Sequence, residues 1–192
     1  MVLYIHGFGG SGLGVKANLF REHFKSKSVN FLAPSLSYTP DLAISTLEEI
    51  ISNCLKYEDV KLIGSSLGGF YAIYLANRFD LKAILINPSL KPTKTLLELT
   101  QNEKKALNYF DLSYFEFNQN HLNMLKKYQI PKESLKLENF FVMLQRDDEV
   151  IDYKVAKEIF DGAKILITQG GGHSFIGIEE FFGEIDEFFG LI

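Results

Sequence analysis

Gly64-Ser65-Ser66-Leu67-Gly68 follows the short apolar run Val60-Lys61-Leu62-Ile63 and leads straight into Phe70-Tyr71-Ala72-Ile73-Tyr74-Leu75-Ala76. A G-x-S-x-G element between a strand pattern and a helix pattern is the arrangement of a nucleophile elbow. The reason is steric. A residue at the tip of so sharp a reversal sits in strained backbone, and small residues two places to either side leave room for the chain to turn while the hydroxyl stays exposed. Ser66 is therefore the candidate nucleophile. Ser65 is not equivalent, because its neighbours at the same spacing, Ile63 and Leu67, would crowd the turn.

Outward from this stretch, short β-branched runs alternate with longer amphipathic ones, the signature of strands and helices taking turns around a parallel sheet. Strands are expected at Val2 to Ile5, Val29 to Ala33, Val60 to Ile63, Ala83 to Ile86, Phe140 to Leu144 and Lys164 to Thr168. Thr39-Pro40-Asp41 reads as a cap, a first-turn proline and a first-turn acid, opening a helix that ends near Tyr57. Asp152 introduces another helix, and Phe175 to Phe189 carries apolar residues at three-and-four spacing, predicting a closing helix packed on the sheet. The expected class is α/β, with three layers and about six mostly parallel strands. From about Pro88 to Leu137 the alternation stops and polar residues (Asn102, Glu103, Lys104, Lys105) give way to Tyr109, Phe110, Tyr114, Phe115 and Phe117. No strand is expected there. The segment reads as a helical or irregular insertion within one domain spanning 1–192, placed as a small cap over the strand ends where open parallel sheets bind ligands.

The 192 residues suit one core. Their 24 acids and 20 bases, net −4, are interspersed, which argues against nucleic acid and against a polybasic membrane anchor. The single cysteine, Cys54, falls on an apolar helix stripe and excludes an internal disulfide. The start of the chain lacks the pattern of a secretory signal, and no apolar run is long enough to span a bilayer, so a cytoplasmic location without membrane insertion is expected.

A serine hydroxyl is a weak nucleophile and needs a histidine base held by a carboxylate. His173 follows Gly170-Gly171-Gly172 just after the strand ending at Thr168, and Asp147-Asp148-Glu149 follows the strand through Leu144. His23 lies on a helical stripe and His121 in the insertion, without such a context. Ser66, Asp148, His173 is the chain order of α/β-hydrolase triads. His6-Gly7-Phe8-Gly9-Gly10-Ser11-Gly12, after the first strand, can bring backbone amides beside the elbow, and the N–H groups of Phe8 and Leu67 are the expected oxyanion donors. Gly7, Gly9 and Gly12 also spell G-x-G-x-x-G, the mark of a nucleotide-dependent oxidoreductase. The next strand, however, ends Ala33-Pro34-Ser35, without the acid that would bind a ribose. The scattered histidines and lone cysteine form no metal pattern, so neither metal nor cofactor is expected.

With these residues in place, the chain resembles the α/β-hydrolase superfamily, and within it the small bacterial esterases of the YqiA type. The resemblance rests on Leu3-Tyr4-Ile5-His6-Gly7-Phe8, Gly64 to Gly69, Ile86-Asn87-Pro88 with Lys91-Pro92, Asp148-Glu149-Val150 with Asp152-Tyr153, and Gly170-Gly171 with His173. It is weakest from Asn102 to Leu137. It implies a minimal hydrolase with Ser66 as nucleophile, Asp148 as acid and His173 as base, acting on esters of short acyl groups. Asp147 stands where the family pattern has glycine, which leaves a second carboxylate able to share the acid's role. The expected activity is a serine esterase for small carboxylic esters or thioesters, with amide or carbon–carbon cleavage open to the same triad. A binding protein that has kept the fold without turnover is the alternative.

Overall fold

The computed structural model describes residues 1–100 and 105–192. Asn102, Glu103 and Lys104 of the expected insertion lie outside the described residues. In chain order the elements are β1 (Val2–Ile5), α1 (Val15–Ser26), β2 (Phe31–Leu32), α2 (Pro40–Cys54), β3 (Lys61–Ser65), α3 (Leu67–Phe79) and β4 (Ala83–Ile86). Then come α4 (Pro92–Thr100), β5 (Lys105–Leu107), β6 (Tyr114–Glu116), α5 (Gln119–Leu125), β7 (Phe140–Gln145), α6 (Tyr153–Ile159), β8 (Lys164–Thr168) and α7 (Phe182–Phe189). Six strands form one parallel sheet in the order β2-β1-β3-β4-β7-β8.

The central strands read as nearly continuous apolar runs because both of their faces are covered. Leu3, Ile5, Leu62, Leu85, Val142 and Leu144 point to one side and pack with α2, α3 and α6. Val2, Tyr4, Ile63, Ile84, Ile86, Phe141 and Met143 point to the other, against Phe20 and Phe24 of α1 and Ile185 and Phe189 of α7. Each such side chain contributes about 1.5–3 kcal/mol by leaving water. The result is three layers. Because all six strands run the same way, the residues after Ile5, Ser65, Ile86, Gln145 and Thr168 emerge at one edge, and the candidate site is built there.

Three expectations need correction. The segment between β4 and β7 does contain strands: β5 and β6 form an antiparallel pair, Ala106 opposite Phe115. They are only three residues long, too short for alternation to register, and Phe115 is held by tertiary ring contacts with Phe8 at 5.4 Å and Tyr38 at 4.7 Å. The closing helix does not begin at Phe175. Phe175 and Gly177 have positive φ (52° and 79°), a 3-10 turn covers Ile178–Phe181, and α7 starts only at Phe182. Thr39 does sit at the N-cap of α2, but its side chain makes no cap hydrogen bond. No helix of the described residues is long and apolar enough to cross a membrane.

Candidate active site

Ser66 joins β3 to α3 with φ 54° and ψ −118°, a conformation that L-residues adopt only under constraint, at a cost of about 1–3 kcal/mol. The constraint is visible. Its N–H donates to the Ile86 carbonyl at 3.0 Å, and its own carbonyl accepts from Gly69 at 2.9 Å and Ser89 at 3.0 Å. The flanking glycines are dictated by close approach. A Cβ on Gly68 would stand 2.0 Å from the Ile5 carbonyl oxygen, and one on Gly64 would stand 2.3 Å from the carbonyl oxygen of Gly68.

The Ser66 hydroxyl lies 2.9 Å from Nε2 of His173, whose Nδ1 lies 2.9 and 3.0 Å from the two oxygens of Asp148. A carboxylate only accepts, so Nδ1 carries the proton and Nε2 is left to accept from the Ser66 hydroxyl. The Asp148 side chain is buried, and its Oδ1 also accepts from the N–H groups of Val150 and Ile151 at 2.9 and 2.8 Å. Asp147 is exposed, and none of the described hydrogen bonds involves its side chain. The geometry therefore joins His173 to Asp148 and leaves Asp147 outside. Of the other histidines, His23 bonds Asp186 at 2.9 Å beneath α7, and His121 closes a capping box with Asn118 at the start of α5.

The loop carrying His173 is clamped from below. Asn87, buried at the end of β4 and itself at φ 41°, donates from Nδ2 to the carbonyls of Gly172 and His173, both at 3.2 Å. Its Oδ1 accepts from the Gln145 N–H at 3.0 Å. The buried Gln145 amide in turn bonds the N–H and carbonyl of Ile176 at 3.1 and 2.9 Å. A Cβ on Gly171 would stand 1.9 Å from Oε1 of Gln145, which explains a glycine there at φ 88°. From above, Glu149 accepts the His173 N–H at 3.0 Å, and hydrogen bonds from its own backbone N–H and from that of His173 hold its carboxyl below the ordinary range.

On the opposite side of Ser66 runs the loop after β1. A Cβ on Gly7 would lie 3.2 Å from that of Ser66, so the backbone comes close to the elbow. His6 fixes this loop: its Nδ1–H donates to the Gly7 carbonyl at 2.8 Å and its Nε2 accepts from Leu36 N–H at 2.9 Å, while burial holds its pKa below 6.5. The Phe8 ring is gripped by Phe115 and Phe117 at 5.4 and 4.8 Å. Among the described residues neither the Phe8 nor the Leu67 N–H has a hydrogen-bond acceptor. Leu67 opens α3, so its amide also lies at the positive end of a helix dipole. Gly9 and Gly12, which with Gly7 made the G-x-G-x-x-G pattern, are small for the protein's own packing: Cβ atoms there would strike the carbonyls of Leu107 and Ala33 at 2.4 and 2.0 Å. A cleft of about 480 Å³ opens over Ser66 and His173, bordered by Tyr4, Lys16, Leu96 and Tyr109.

The chain matches the Uncharacterised protein family UPF0227 over residues 1–190. It belongs to that family. A UPF0227 protein of Shewanella woodyi is 27% identical over 161 residues, 82% of this chain and 81% of the relative. Among solved structures, Est1E from Butyrivibrio proteoclasticus superposes with a TM-score of 0.75 at 16% identity, covering 99% of this chain and 86% of that one. The mouse α/β hydrolase domain-containing protein 10 gives 0.72 at 17%, covering 97% and 88%. The fold of this UPF0227 chain is that of the α/β-hydrolases.

Several residues of the UPF0227 site were not singled out for a role from the sequence. Asn87 carried a signal, since an asparagine before a proline at a strand's carboxyl end tolerates positive φ and offers both donor and acceptor. Gln145 and Glu149 read as ordinary ends of a strand and a turn. Lys16 gave no signal at all, because a lysine near the start of a helix is normally solvated.

Proposed function

We propose that this protein is a serine esterase that hydrolyses small carboxylic esters or thioesters through an acyl-enzyme on Ser66. The observation that carries the reading is the continuous chain of hydrogen bonds from the Ser66 hydroxyl through His173 to Asp148, each at 2.9–3.0 Å. His173 takes the hydroxyl proton as Ser66 attacks the carbonyl, and Asp148 holds the ring in the required tautomer and stabilises the imidazolium. The Phe8 and Leu67 amides receive the developing oxyanion, donors worth about 3–4 kcal/mol each when measured by removal. His173 then returns the proton to the leaving alcohol or thiol. A water, deprotonated by the same ring, releases the acyl group. The cap over the cleft is the segment between β4 and β7, which contributes Leu96 and Tyr109 to its walls.

The test is turnover of p-nitrophenyl acetate, butyrate and octanoate by the protein and by Ser66→Ala, with labelling by a fluorophosphonate located by peptide mass spectrometry. Short esters should be preferred, Ser66 should carry the label, and the variant should lose at least about a thousandfold. Equal rates in the two proteins, or label elsewhere, would overturn the assignment.

A further inference from the structure

Lys16 lies in the second position of α1 and borders the cleft that holds Ser66 and His173. Its ammonium donates to the Ser65 hydroxyl at 2.9 Å, beneath the elbow. That is one acceptor for three N–H donors. Among the described residues no carboxylate forms an ion pair with it. Its hydrogen-bond acceptor supplies no charge, since Ser65 is neutral, and burial pushes the nearby Tyr4 phenol up, away from ionisation; the opposite charge it senses, that of Asp148, lies beyond ion-pairing distance. The carboxylates that face the cleft are committed elsewhere, Asp148 to the His173 ring and Glu149 to the His173 N–H. Lys16 is partly buried, and withdrawal from water draws its pKa down to about 8 against the pull of Asp148, which leaves it mainly protonated at neutral pH.

The helix it sits on compounds the imbalance. α1 has no side-chain cap and no acid in its first turn, so its unpaired N–H groups and its dipole add positive potential beside the ammonium. A cation at a helix N-terminus is the unfavourable placement. An anion in the cleft would reverse both penalties.

We infer that Lys16, with the first turn of α1, is a recognition site for a carboxylate carried by the substrate, so that the preferred esters are monoanionic ones. This rests on the esterase reading above and adds a substrate class to it. The charge is a single one: one ammonium balances one carboxylate, whereas the carboxylates of Asp148 and Glu149 in the same region disfavour a more highly charged group. A second cleft of about 470 Å³ shares Val15, Lys16 and Ser174 with the first, so Lys16 lines both, and the first of them also holds Ser66.

The carboxylate can sit on the acyl or on the alcohol side, and two matched pairs separate these. One is p-nitrophenyl hemisuccinate against p-nitrophenyl butyrate; the other is 4-acetoxybenzoate against p-tolyl acetate. After subtraction of spontaneous hydrolysis, the ratio of kcat/KM within each pair is compared between the protein, Lys16→Met and Lys16→Arg. In one pair the ratio should fall at least about tenfold in Lys16→Met and be largely kept in Lys16→Arg, in line with a hydrogen-bonded charge pair withdrawn from water. Unchanged ratios in both pairs would overturn the inference while leaving the esterase intact. If no ester is turned over, the esterase reading fails by itself, and binding decides the anion site. Calorimetric titration of monomethyl succinate into Ser66→Ala and into Ser66→Ala/Lys16→Met should then show affinity at least about tenfold weaker in the second protein, and equal affinities would refute the site.

Discussion

Asn87→Ala removes the clamp beneath the His173 loop without altering any side chain of the Ser66–His173–Asp148 chain. Three hydrogen bonds disappear, two to the carbonyls of Gly172 and His173 and one from the Gln145 N–H. The loop carbonyls can turn toward water. The Gln145 N–H cannot, because that residue is 3% exposed, and an orphaned buried donor costs about 1–3 kcal/mol. Alanine must also hold φ near 41°, where asparagine is tolerated and alanine pays about 1 kcal/mol more. A loss of about 3 kcal/mol in unfolding free energy is expected by urea titration. Activity should fall further than stability explains, since a displacement of the ring by about 1 Å costs about a hundredfold in kcat/KM. Asn87→Asp sharpens the test. It keeps an acceptor for the Gln145 N–H but turns the donor into an anionic oxygen facing two carbonyls, so it should restore part of the stability and none of the activity. An Asn87→Ala protein that loses less than about 1 kcal/mol and keeps kcat/KM within about threefold would refute the clamp.

The two neighbouring carboxylates should separate cleanly in ester hydrolysis: Asp148→Asn reduces kcat by about 10³–10⁴, because the amide favours the wrong His173 tautomer, while Asp147→Asn stays within about threefold. Comparable losses in both variants would mean that the acid role is shared. His6 supplies a pH test. Its folded pKa lies below 6.5, so in the acid range the unfolded chain binds a proton that the folded chain refuses, and stability falls as pH drops from 6.5 toward the folded value. His6→Gln, which does not titrate, should lose less stability between about pH 7.5 and 5.5 than the parent does, and equal acid sensitivity of the two urea midpoints would remove His6 from the account.

How much of this was legible depended on the range over which each residue acts. The elbow was readable because its requirement is local: Gly64 and Gly68 are small since the chain passes over itself within a few residues and against the end of β1. The strands were readable because burial on both faces leaves unbroken apolar runs. The β5–β6 pair was not, since three-residue strands carry too little pattern and are held by rings at Phe8 and Tyr38 that lie far off in the chain. The closing helix starts later than its apolar spacing predicts for a related reason. Residues 175 and 176 have helix-compatible side chains, but the Gln145 amide takes both backbone groups of Ile176 and turns that stretch into a loop support.

By itself, then, the amino-acid order determined the α/β class, the position of the serine turn and the set of side chains proposed here for acyl chemistry, because strand and helix periodicity and glycine's small size act over a few residues. Tertiary structure alone decided which of two adjacent carboxylates meets His173, that Asn87 and Gln145 hold its loop, and that Lys16 borders the cleft with no ion-pair partner among the described residues. Those outcomes depend on distances between segments 25 to 107 positions apart, and such distances are set only when both faces of the sheet are packed.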